Sequence, residues 1–90
     1  MKPIRLPPHA VDQLRDRQLR TETVELTIRE PQGTSTLPFR RKALVRRYFD
    51  EELGQPMLMR VIVEENESEI VVVTVYRTSK IEKYLQQESS

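Results

Sequence analysis

Ile70-Val71-Val72-Val73-Thr74-Val75-Tyr76 is the segment on which the architecture turns. From Ile70 to Val75 every residue is apolar or β-branched, so an extended strand would carry such groups on both faces. A strand of that kind, running from Glu69 to Tyr76, belongs inside a sheet, covered on both sides or shielded by a partner. Upstream, Glu65-Asn66-Glu67-Ser68 reads as a turn, and Met57 to Glu64 alternates. Met57, Met59, Val61 and Val63 share one side of it, and Leu58, Arg60 and Ile62 the other. The connection Asp50 to Pro56, with Gly54, leads back to a third strand, Arg41 to Phe49. Its two faces carry Ala43, Val45, Arg47 and Phe49, and Lys42, Leu44, Arg46 and Tyr48. Short turns between neighbouring strands favour antiparallel pairing.

The flanks of this sheet read as helices. His9 to Leu19 places Val11 and Leu14 on a narrow apolar stripe. Thr21 to Glu30 can be read two ways, since Val24, Leu26 and Ile28 alternate as in a strand. The spacing of Val24 and Ile28, Thr21 as a cap, Glu22 in the first turn and the stop Pro31-Gln32-Gly33 favour a helix. Gly33 to Pro38 is a polar connector with room for a short edge strand. Ser79 and Glu82 have the spacing of a capping box for a final helix, Lys80 to Gln87. The expected architecture is α+β: two N-terminal helices packed on a three- to four-stranded antiparallel sheet, then a short C-terminal helix. Residues 1–90 are expected to form one domain.

Composition removes several function classes. With no cysteine there is no disulfide or thiolate chemistry, and with one histidine, His9, no histidine cluster for a metal. The two glycines, Gly33 and Gly54, lie in predicted turns, not in a phosphate-cradling loop. Ser35, Ser68 and Ser79 have turn or capping roles. No metal and no cofactor is therefore expected. No apolar run approaches the roughly 18 residues that span a bilayer, so no membrane partner is expected and a cytoplasmic address is the default. An apolar fraction of 37% is low, which leaves room for a homodimer or a hetero-complex.

The net charge of +1 hides an uneven distribution. Arg40, Arg41, Lys42, Arg46, Arg47 and Arg60 outnumber the acids of residues 31–60, whereas acids dominate residues 61–90. Arg46 and Arg60 are each expected opposite the side holding Val45 and Val61. With Lys42 they would then gather on one side of the sheet as a phosphate grip. Tyr76-Arg77-Thr78, followed by Lys80 and Lys83, is a second polar cluster, with Lys80 a further phosphate-binding candidate. Tyr76 and Arg77 point to opposite faces unless the chain bends between them. Cleavage of RNA without a metal uses the 2′-hydroxyl as nucleophile, a base for its proton and cations for the phosphate. His9 or a lysine could be that base, Arg46, Arg60 or Arg77 the clamps, and Tyr76 a stacking or orienting group. The plainer alternatives are a helix-start histidine packed on the sheet, a strand-end tyrosine and an arginine paired with a carboxylate.

His9-Ala10-Val11-Asp12-Gln13-Leu14-Arg15-Asp16-Arg17, Thr23-Val24, Glu30-Pro31 and Ile70-Val71-Val72-Val73-Thr74-Val75-Tyr76-Arg77-Thr78 occur in order. Together they resemble the DUF4258 domain over residues 8–84. That family looks related to the BrnT and RelE/ParE group of small toxins, which set helices against a compact antiparallel sheet and several of which cleave RNA. The resemblance implies RNA as a target, an antitoxin protein as a partner, and His9, Arg17, Tyr76 and Arg77 as matching polar positions. Family members often read Arg-Gly-Ile where this chain reads Arg17-Gln18-Leu19. Gln18 must then make the turn without glycine's freedom, or the first helix must run further. The function classes are thus a toxin-like, metal-independent RNA endonuclease, a non-catalytic module binding RNA or an acidic protein, and a regulatory protein with scattered arginines.

Overall fold

The computed structural model describes residues 2–89, with side chains through Gln87. In chain order the elements are β1 (Ile4–Arg5), α1 (Pro8–Asp16), α2 (Thr21–Arg29), β2 (Gly33–Leu37), β3 (Arg41–Asp50), β4 (Gln55–Glu65), β5 (Ile70–Thr78) and α3 (Ile81–Ser89). The sheet order is β1-β5-β4-β3-β2. Strands β2 to β5 form an antiparallel meander, as the short turns require. The polar connector supplies the edge strand β2. The N-terminal lead-in adds what the alternation did not reveal, a two-residue strand parallel to β5.

Helices α1 and α2 cover the sheet face of methionine and valine side chains. Ala10, Leu14, Leu19, Val24 and Ile28 pack with Leu44, Met59, Val61, Val63, Val72 and Val75 in one buried cluster. Helix α3 crosses the opposite face against β2 and β3. Ala43, Val45 and Leu58, on that side by register, are fully buried. The α+β layering expected from the sequence is the observed one. Two capping details differ. Arg20, not Thr21, is the N-cap of α2. Glu82, expected to return to Ser79, pairs with Arg47, and the Thr78 hydroxyl accepts the Lys80 N–H at 3.1 Å.

The α1–α2 turn settles how Gln18 replaces glycine. Helix α1 stops at Asp16, short of the expected Leu19, and Gln18 itself adopts φ 55. Its N–H donates to the Arg15 carbonyl at 3.2 Å, and that of Leu19 to the Leu14 carbonyl at 2.8 Å. These two bonds are the Schellman pattern, and Leu14 and Leu19, at its two ends, both enter the core cluster. Packing thus imposes a left-handed conformation on a residue that disfavours it. Gln18→Gly should raise stability by about 0.5–1 kcal/mol in urea titrations. A loss of stability would show that the Gln18 side chain contributes more than its backbone costs.

Candidate functional site

Register, not alternation, decides which side chains share a face. Val45 pairs with Arg60, and Arg46 with Met59. Arg46 therefore lies on the helix side and Arg60 on the α3 side, and the expected grouping of the two is corrected. Arg46 donates to the Glu30 carbonyl at 2.6 Å, at the end of α2. Arg60 donates to the Tyr76 hydroxyl at 2.7 Å and lies 5.7 Å from the ring centres of both Tyr76 and Tyr84. Lys42 sits at the β2–β3 end of the sheet, 3.6 Å from Glu65. Lys80 follows β5, whose last residue Thr78 pairs with Leu58 and, through it, aligns with Arg47. That level is about 17 Å along the strands from Lys42. The four expected phosphate contacts do not share one grip.

The catalytic candidates separate in the same way. Strand β5 stays extended through Thr78, so Tyr76 faces α3 while Arg77 faces α1 and α2. His9 has a different task. Pairing shifts from Ile62↔Thr74 to Val63↔Val72, which leaves Val73 as an extra residue in β5. Strand β1 ends at Arg5, so among the described residues no strand lies beside the outer edge of β5 beyond Val71. Helix α1 takes that place. His9 and Gln13, four residues apart on one face of α1, and Arg17 at its C-cap reach the edge in succession. His9 Nε2–H donates to the Val73 carbonyl at 2.9 Å, so it is a helix-start histidine set against the sheet. Gln13 Oε1 accepts the Val75 N–H at 2.9 Å and the Thr74 hydroxyl at 3.1 Å, and Arg17 donates to the Val75 carbonyl. Arg77 returns the contact by donating to the Arg17 carbonyl at 2.7 Å. Side chains of a helix thus satisfy a strand edge that would otherwise be open.

Arg77 also lies 3.4 Å from Asp50, whose carboxylate is only 6% exposed. Asp50 accepts the Leu53 N–H and the Tyr48 hydroxyl, both at 3.0 Å. The Leu53 N–H above all, then Tyr48 and Arg77, hold the Asp50 carboxyl below its ordinary range against the opposing effect of burial. Burial, and then the bond to Asp50, push the Tyr48 hydroxyl up to about 12. A cleft of about 200 Å³ adjoins this group, lined by Leu19, Arg20, Tyr48, Asp50 and Glu51 among others. Asp50, Tyr48 and Arg77 are bonded chiefly to one another and to the chain, so the cluster closes the β3–β4 connection and fastens it to α1.

Phe39 and Arg40 lie at the other end of the sheet, between β2 and β3. The Arg41 N–H closes on the Pro38 carbonyl at 3.3 Å, and the two residues between, Phe39 and Arg40, both have φ 62. Positive φ at both central positions is the feature of a type I′ turn, which favours Asn-Gly. Here a phenylalanine occupies it and is 84% exposed. Beside the turn, Lys2, Thr36, Arg40, Arg41, Lys42, Glu65, Asn66 and Glu67 line a recess of about 350 Å³. Lys2 bonds Glu65 at 2.7 Å, Lys42 is 3.6 Å from the same carboxylate, and Arg41 is 3.6 Å from Glu64. Lys2 first, then Lys42, hold Glu65 ionised to a lower pH than usual. Arg40 has no carboxylate partner among the described residues. Sequence reading missed this turn, because nothing in Pro38-Phe39-Arg40 announces an aromatic held out of the core.

A family model described as "Domain of unknown function (DUF4258)" matches residues 6–77, most of the chain. The chain belongs to the DUF4258 family. No match was found among curated proteins, and none among solved structures. The matched segment of this DUF4258 domain holds the whole β5-edge device, from His9 to Arg77. Three of the four polar positions brought forward by the resemblance, His9, Arg17 and Arg77, therefore have a structural task here. The fourth, Tyr76, is engaged by Arg60.

Proposed function

We propose that this DUF4258 domain is a non-catalytic module that binds single-stranded RNA at the β2–β3 turn. The observation that carries the reading is Phe39, 84% exposed and held with Arg40 in a backbone conformation that bulky residues avoid. Each such residue costs on the order of 1 kcal/mol and persists where the surroundings or a function demand it. An exposed ring offers a stacking platform to any base. Arg40, which has no carboxylate partner among the described residues, offers a cation to the adjoining phosphate, while Arg41, Lys42 and Lys2 are matched by Glu64 and Glu65. The face-wide grip of Lys42, Arg46, Arg60 and Lys80 is thereby replaced by a tip that keeps only Lys42 from that set.

A toxin-like endonuclease would need His9, Tyr76 and Arg77 around one phosphate, and they are committed to different partners on different faces. Binding without turnover fits the geometry better. An antitoxin-like protein partner would act on this reading by covering the turn. The test is fluorescence anisotropy with a labelled single-stranded RNA over a range of salt concentrations, with strand length followed on a gel. Phe39→Ala should weaken binding about tenfold, the value of one stacked base. Arg40→Ala should lower the slope of log affinity against log salt by about one. Equal affinity of wild type and Phe39→Ala would remove the reading. Shortening of the strand, lost in Tyr76→Phe and Arg77→Ala, would return the endonuclease to first place.

A further inference from the structure

Carboxylates beside a phosphate-binding turn need a reason, since each repels the strand it borders. Glu64 and Glu65 have one: they are matched by Arg41, Lys42 and Lys2. Glu67 has no cation partner among the described residues and lines the same recess as Arg40. Its neighbour Asn66 lines it too and is fixed in place. Asn66 Oδ1 accepts the Ser68 N–H and the Glu69 N–H at 2.9 Å each, and the Ser68 hydroxyl at 3.0 Å. The Asn66 N–H donates to the Glu69 carbonyl at 3.1 Å, and its carbonyl receives Lys2 Nζ at 2.7 Å. With the amide oxygen so occupied, the amide orientation is set, and its NH₂ group has two donors left to offer.

We infer that the recess between the β2–β3 turn and the β4–β5 turn receives one guanine base of the bound RNA, which deepens the RNA reading above and rests on it. The reason is the donor and acceptor pattern of the bases. Guanine alone presents two adjacent N–H donors, N1–H and N2–H, which a single carboxylate accepts together, beside an O6 acceptor suited to an amide NH₂. Adenine and cytosine each offer a carboxylate one exocyclic amine next to a ring nitrogen acceptor, which the charge repels. Uracil flanks its only N–H with two carbonyl oxygens. Glu67 and Asn66 therefore match guanine and disfavour the other three, in the way unstacked bases are read along their Watson–Crick edges. About 350 Å³ leaves room for a purine. Phe39 and Arg40, in the turn that forms the far wall, would hold the neighbouring base and phosphate.

The test uses the full chain and four labelled RNA heptamers that differ only in the central base of an otherwise all-uridine strand. The guanine heptamer should bind about tenfold tighter than the uracil one, the discrimination expected of one bidentate contact. In Glu67→Gln that ratio should fall to near one, and in Asn66→Ala it should fall part of the way, with both variants checked for native circular dichroism. If all four heptamers bind equally and Phe39→Ala weakens them all, the guanine assignment is wrong and the RNA reading stands. If none binds, both fall. A guanine preference that survives Glu67→Gln overturns the assignment of the recess.

Discussion

Asp50→Ala should lower the stability of this domain by about 3 kcal/mol, the size expected when a buried carboxylate that accepts several hydrogen bonds and pairs with a half-buried arginine is removed. A chain of this length has on the order of 5–13 kcal/mol in all, so the loss is a large share. The carboxylate serves several donors at once, among them the Leu53 N–H that shapes the β3–β4 connection, the Tyr48 hydroxyl and the Arg77 guanidinium. Its loss leaves Arg77, 22% exposed, without its counter-charge. Asp50→Asn keeps an oxygen for Leu53 and Tyr48 and should cost less than Asp50→Ala. Acid gives a second readout. The folded-state value of Asp50 is lowered, so its contribution is complete above the unfolded value of about 3.9 and is lost as pH falls through the lower folded value. The gap between wild type and Asp50→Ala in urea titrations should be constant from pH 7 to about pH 4 and close below that. A gap that does not narrow in acid would mean that the side chain's shape, not its charge, holds the turn.

Gln13→Leu should cost about 2 kcal/mol, because it strands a backbone N–H that has no strand to pair with. The Val75 N–H points to the side of β5 beyond the end of β1, and Gln13 Oε1 is its acceptor at 2.9 Å. Leucine matches the shape of glutamine without the oxygen. Gln13→Glu restores an acceptor and should recover most of the loss. Native-state hydrogen exchange gives the local signature: the Val75 amide should exchange faster in Gln13→Leu by a factor larger than the global destabilisation explains. His9→Ala should be milder, since the carbonyl it serves can turn to water at an exposed site. Equal stability of the leucine and glutamate variants would show that another group accepts the Val75 N–H in solution.

Much of the layering was legible in the residues. The valine run of β5, the alternation of Met57, Met59, Val61 and Val63, and the helical spacing of Val24 and Ile28 each became the element read from it. The two-residue β1 was not legible, because a strand that short carries no period. Among the site residues, the arginines failed for a specific reason. Alternation states which residues of one strand share a face but leaves open which face of its neighbour they meet. The β3–β4 turn closes with Val45 opposite Arg60, and that parity sends Arg46 and Arg60 to opposite sides.

Periodicity and composition settle the α+β class, the order of the helices and long strands, and the exclusion of cysteine chemistry and histidine clusters. That His9, Gln13 and Arg17 stand in for a missing strand, that Gln18 bends like a glycine, and that Phe39 points to solvent emerge only once the chain is folded. Each of these depends on groups far apart in the chain meeting across the β5 bulge, the α1–α2 turn or the sheet end, and side-chain pattern within one segment does not encode that meeting.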